Sequence, residues 1–153
     1  MYNSEKYLNL LELGSVLNLL SNEATITSAK EKAIALRPFS SLDEVKLQLK
    51  KTEEAFLLTA KFASPSFYNP VDPSSILTRA EVGASLNMGE LLDIANVLKS
   101  IRSVKEWKDN CSVNNKTSLD DLFDSLTPNK FLEDKICFAV KSQDEMNDNA
   151  SSE

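Results

Sequence analysis

Four cations recur along one stretch of the chain, Lys99, Arg102, Lys105 and Lys108, with Trp107 among them. A basic stripe of this kind on a helix can track the phosphates of a nucleic acid. The alternative is a solvated helix face paired with nearby acids. A formal net charge of −6 and a pI near 4.8 give the chain no overall basic field, which weighs toward pairing. Three acids, Asp120, Asp121 and Asp124, could supply oxygens to a hard cation, but such a site needs several converging ligands. Acids in the first turn of a helix are favoured by its dipole without any metal. The segment Asp144 to Asp148 fails as a calcium loop, because Met146 stands where an oxygen ligand belongs and the required glycine is absent.

Other chemistries are disfavoured by composition. Histidine is absent, which removes the usual general base, the physiological pH switch and the commonest transition-metal ligand. None of the three glycines precedes a lysine, so the phosphate-cradling P-loop is missing. Glu53 with Glu54, and Glu90 with Asp93, read as helix faces and caps rather than as catalytic carboxylate pairs. Cys111 and Cys137 are too few for a zinc knuckle or a disulfide framework and read as reduced thiols. No catalytic, cofactor-binding or metal-binding residue emerges from this reading.

The elements that must position the stripe are helices. With three glycines and five prolines in 153 residues, long helices with few connections are favoured over a sandwich or barrel, and the fold class is all-α. The stripe lies on a long helix over about 87–109. Asn87 is its N-cap, Glu90 completes a capping box, and Leu86 with Leu91 forms a hydrophobic staple. Leu91, Ile94, Leu98 and Ile101 give it an apolar side. A second long helix, over about 41–63, opens on the capping-box pattern Ser41-Leu-Asp-Glu44. It carries Leu42, Val45, Leu49, Thr52, Phe56 and Ala63 in a heptad-like rhythm.

Shorter helices are expected around these struts. Residues 5–22 read as one helix with Leu8, Leu11, Val16, Leu19 and Leu20 on its buried side, and Gly14 in its interior marks a close packing contact. Residues 27–36 bury Ala29, Ala33 and Leu36 and stop before Pro38. The link 64–73 holds three prolines, with Phe67 and Tyr68 anchoring it to the core. A helix over 73–82 ends at Gly83. Residues 110–117 read as a loop, 118–126 as a short helix, and Phe131, Leu132, Ile136 and Val140 as the apolar side of a last helix. The domain reading is a helical core over 1–141 followed by an acidic tail, 142–153, in which Ser151 would cap a further helix. The chain is therefore expected to be a piece of a longer one. No signal peptide and no run of about 18 apolar residues is present, so a cytoplasmic location is expected. The Asn-x-Ser/Thr triplets at Asn110, Asn115 and Asn149 then have no role.

The order of several blocks is informative. Tyr7-Leu-x-Leu-Leu-Glu-Leu, Ala33-x-Ala-Leu-Arg-Pro38, Leu42-Asp-Glu-Val with Thr52-Glu-Glu-Ala, and Arg79-Ala-Glu-x-Gly-Ala-x-Leu follow one another. Glu90-Leu-Leu-Asp-Ile-Ala-x-Val-Leu98 comes next, and Asp144-Glu-Met-x-Asp-x-Ala-Ser151 closes the series. Together they resemble the N-terminal core region of the type-two MutS family. The resemblance implies a cytosolic, homodimeric parent that hydrolyses ATP with Mg²⁺, engages DNA or the ribosome, and suppresses homologous recombination or recognises collided ribosomes. It also implies that levers, a clamp, an ATPase domain and often a Smr nuclease domain lie beyond this segment. No catalytic residue carries over. The competing reading is a free-standing helical adaptor that binds a partner helix or peptide.

Overall fold

The computed structural model describes residues 4–68, 71–111 and 116–150. The readings placed on Ser112 to Asn115, including the Asn115 triplet, and on Ser151 as a cap lie outside those residues. Among the described residues the chain is all-α, with eight helices and an isolated antiparallel bridge between Val140 and Met146. No helix is long and apolar enough to cross a membrane. The chain divides into two compact units, residues 1–39 and 40–153.

The first unit holds α1 (Ser4–Leu10), α2 (Leu13–Glu23) and α3 (Thr27–Ile34). The single helix expected over 5–22 is two. The Leu11 N–H closes on the Tyr7 carbonyl and the Glu12 N–H on that of Asn9, after which Glu12 steps into left-handed backbone at φ 55°. That break re-aims α2. Leu17 and Ser21 are buried, whereas Leu11, Val16, Leu19 and Leu20 are exposed, contrary to the single-helix pattern. Gly14 makes no close contact: a Cβ there would meet nothing within 4 Å. Leu36, expected to be buried, is 43% exposed and lies past the end of α3 at Ile34.

The second unit is built on α4 (Leu42–Phe62), α5 (Ser74–Glu81), α6 (Met88–Asn110), α7 (Asp120–Asp124) and α8 (Lys130–Ala139). The two long helices fall where the pattern predicts. The expected capping-box bond at Ser41 is absent, so α4 starts without a side-chain cap. Its buried side differs from the heptad reading as well. Leu58 is buried with Cys111 and Leu119, and Ala55, Phe62, Trp107 and Phe123 pack around them. Leu42, Leu49 and Phe56 project away from that cluster and are exposed. Helical geometry explains the swap, since Ala55, Leu58 and Phe62 are spaced at three and four residues on the side of α4 opposite Leu49 and Phe56.

α5 ends in a Schellman motif. Gly83, at φ 81°, donates to the Ala80 carbonyl and Ala84 to that of Arg79. This αL position is where glycine is needed, as the sequence suggested. After α8 the chain turns back: Lys141 and Ser142 N–H donate to the Glu145 carbonyl, and Asn147 N–H to that of Ala139 at 2.8 Å. The Asn147 side chain adds a bond to the Phe138 carbonyl at 3.1 Å.

Candidate functional site

The basic stripe depends on how α6 is started and surrounded. Asn87 Oδ1 accepts from the Glu90 N–H and Glu90 Oε2 accepts from the Asn87 N–H, both at 2.9 Å, so the expected capping box is formed. Arg79 at the end of α5 donates to the other Glu90 oxygen and to the Ser85 carbonyl. The Asn87 N–H, with help from Arg79, holds the Glu90 carboxyl below its usual range. From Met88 to Lys105 every residue of α6 is buried or half-buried. A helix flanked in this way leaves its cations only partly solvated, so they gain from partners on the neighbouring elements.

Each of the four does so. Lys99 places its ammonium 4.1 Å from the Tyr68 ring centroid. The adjacent Ser100 hydroxyl accepts from the Tyr68 N–H at 2.9 Å and donates to the Tyr68 carbonyl at 3.3 Å. Tyr68 therefore anchors the proline-rich link as expected, while Phe67 remains largely exposed. Arg102 makes a two-pronged pair with Glu133 on α8, Nε to Oε2 at 2.9 Å and Nη2 to Oε1 at 2.8 Å, and a third bond to Glu106 on its own helix. Glu133 is only 5% exposed. Its carboxyl is held below the usual range by Arg102 against the opposing effect of burial, and the Arg102 guanidinium is pushed up, chiefly by Glu133.

Lys105 and Lys108 reach α7. Lys105 Nζ donates to the Phe123 carbonyl at 3.2 Å and to Asp124 at 3.0 Å. Lys108 Nζ lies 3.0 Å from Asp120 and 5.5 Å from the Phe123 ring centroid. Asp120 also accepts from the Thr117 hydroxyl at 2.7 Å and the Thr117 N–H at 3.0 Å. The Thr117 hydroxyl, then Lys108, hold its carboxyl down to about 2. From the other side Glu54 of α4 accepts from the Ser118 N–H at 2.7 Å and its hydroxyl at 2.5 Å, which lowers the Glu54 carboxyl. The segment 117–124 is thus strapped between α4 and α6. Trp107 completes the strap, with its ring 6.1 Å from that of Phe123 and its indole N–H directed at the Phe62 carbonyl at 3.5 Å.

The arrangement is a brace. Asp120 and Asp124 each face a lysine instead of converging, and no group of three metal-ligating side chains occurs among the described residues. Both cysteines are free: Cys111 is buried, which pushes its thiol up, and Cys137 is exposed. Glu133 is the participant that sequence reasoning missed. A signal existed, since Glu133 shares one face of α8 with Ile136, which is buried, as is Val140 just past the end of the helix. A carboxylate on an apolar stripe calls for a cation opposite. Phe131, expected on that side, is 70% exposed.

No protein-family model matches the chain. It is similar to curated Endonuclease MutS2 proteins. The identity is 36% over 152 residues with that of Acetivibrio thermocellus, 32% over 149 with that of Clostridium beijerinckii and 31% over 149 with that of Clostridium acetobutylicum. In all three, the match covers 97% of this chain and 19% of the relative. The chain thus spans about a fifth of the length of the curated relatives it matches.

Proposed function

From its homology to one region of the MutS2 proteins, we propose that the chain is the N-terminal core segment of a type-two MutS protein, acting as a rigid helical scaffold. The observation that carries this reading is the bracing of α6: a 23-residue helix, roughly 35 Å at about 1.5 Å per residue, is tied along its length to the link, α7 and α8 by charged side chains. Such a strut transmits displacement without bending. The parent is proposed to be a cytoplasmic homodimer that binds ATP and Mg²⁺ in another domain and engages DNA or the ribosome. Suppression of recombination or recognition of collided ribosomes would be its task. In this reading the segment itself supplies no reacting group.

The test is an exchange. The matching stretch of the Acetivibrio thermocellus protein is replaced by this chain, and endonuclease activity, ATP hydrolysis and binding to branched DNA are measured. Retention of these properties supports the scaffold role. A chimera that folds with an unchanged Tm but loses them overturns it. Direct contact of Lys99, Arg102, Lys105 and Lys108 with nucleic acid or ribosome is a separate proposal, and each residue would have to exchange its present partner to make it. Arg102→Glu with Lys105→Glu in such a chimera should then weaken binding and flatten its salt dependence, and an unchanged slope removes the contact.

A further inference from the structure

The core of the second unit leaves a space unfilled. A cavity of about 310 Å³ opens where α4, α6 and the segment 117–124 meet the proline-rich link, with the buried Leu58 and Leu119 among its walls. Protein interiors are close-packed, and voids much larger than a water are few. An apolar cavity of about 150 Å³ already takes up benzene. This one is roughly twice that size and falls in the range of small-molecule sites. The chain has a side chain at hand to fill it, since Phe67 lines the mouth, yet Phe67 is 61% exposed. Two features keep it at the rim. Ala63 leaves α4 in left-handed backbone at φ 60° and ψ 175°, a conformation that persists only where the surroundings impose it. Tyr68 is then pinned to α6, by Ser100 on its N–H and carbonyl and by Lys99 on its ring. With both ends of 63–68 fixed, the cavity keeps its opening.

The lining selects the occupant. None of the side chains that form it is charged, so an ion would lose its hydration there with no counter-charge to replace it. Trp107 and Phe123 present rings 6.1 Å apart and tilted at 45°, against which a flat ring packs by edge and by face. The polar groups inside are already satisfied. The Thr59 hydroxyl donates to the Ala55 and Phe56 carbonyls at 3.0 Å, and the Trp107 indole N–H is directed at the Phe62 carbonyl. At the mouth the exposed Ser64 hydroxyl makes no hydrogen bond among the described residues and is open to a ligand. We propose that this cavity binds a small neutral aromatic molecule of two fused rings, its body against Trp107 and Phe123 and a single hydroxyl-type group at Ser64. The site is independent of the scaffold role.

Trp107 is the only tryptophan of the chain, so its indole N–H gives a single signal in a proton–nitrogen correlation spectrum and reports on the cavity wall. The experiment titrates the 153-residue chain at pH 7 with β-naphthol, with β-naphthoate, which has the same rings and a charge, and with octanol, which has the same polar group on a linear chain. β-Naphthol should move the Trp107 signal with a Kd on the order of 100 µM. The other two should bind at least about tenfold more weakly, through the uncompensated charge and the poor fit of a flexible chain. Val104→Phe adds a ring to the cavity wall from α6 and should abolish the titration. Should that variant fail to fold, Phe67→Ala and Ser64→Ala change only the exposed rim and should weaken β-naphthol by about fivefold and about threefold. No movement of the signal up to about 1 mM β-naphthol overturns the proposal. So does a titration that a folded Val104→Phe leaves intact, or an affinity unmoved by both rim variants. β-Naphthoate or octanol binding as tightly as β-naphthol overturns it as well.

Discussion

From Met88 to Lys105 no residue of α6 is exposed, and its cations point into contacts with neighbouring elements. On α4, by contrast, one side is buried around Leu58 while Leu42, Leu49 and Phe56 stand in solvent. On α6 charged side chains serve as packing surface, and on α4 a row of large apolar ones is left outside. The difference comes from neighbours. α6 has α7 and α8 supplying carboxylates at the spacing of its cations, whereas among the described residues α4 is held on the side that carries Glu54, Ala55, Leu58 and Phe62. The rule that apolar residues are inside and charges outside is a statement about averages, and a central helix can reverse it wherever every charge is matched.

The two sides of α4 give the sharpest contrast in stability. Leu58→Ala should cost about 2–4 kcal/mol by opening a cavity in the core, whereas Leu49→Ala should change stability by no more than about 0.5 kcal/mol. Urea denaturation, at concentrations low enough to keep the chain monomeric, checks both. Equal losses would mean that the stripe on α4 is covered. Smaller in size is the start of α6: Asn87→Ala removes the cap acceptor for Glu90 N–H and should cost about 1 kcal/mol in the same assay.

The smallest effect concerns the acid side of the brace. The Asp120 carboxyl, held down to about 2, contributes stability that is fully present above the usual carboxylate range and is lost as the pH falls toward 2. Wild type and Asp120→Asn should therefore differ most near neutrality and converge between about pH 4 and pH 2. A difference that stays constant through that window would detach Lys108 and Thr117 from the account.

What could be read from residues alone was what is settled locally. The capping box at Asn87 and Glu90, the glycine stop at Gly83 and the extents of α4 and α6 each depend on neighbours within a few positions, and they stand where the pattern put them. The break at Glu12 left no glycine or proline at the break itself. The choice between the two apolar sides of α4 was invisible for another reason: both have helical spacing, and only the positions of Trp107, Leu119 and Phe123 decide between them. For the candidate site, the four cations were legible and their partners were not. Glu133, Asp120 and Asp124 lie between 12 and 31 residues along the chain from the cations they meet, beyond the reach of any periodicity. Their pairing is a consequence of α7 and α8 packing on α6.

The claim at the centre of this account is that the cations of α6 hold the second unit together, and Arg102 with Glu133 is the pair that carries it. A double-mutant cycle with Arg102→Met and Glu133→Gln, followed by urea denaturation at pH 7, measures their coupling free of each residue's other contacts. Two charge-assisted bonds to a buried carboxylate predict a coupling of about 2 kcal/mol or more. A coupling within about 0.5 kcal/mol of zero, the value of an ordinary surface pair, would contradict it.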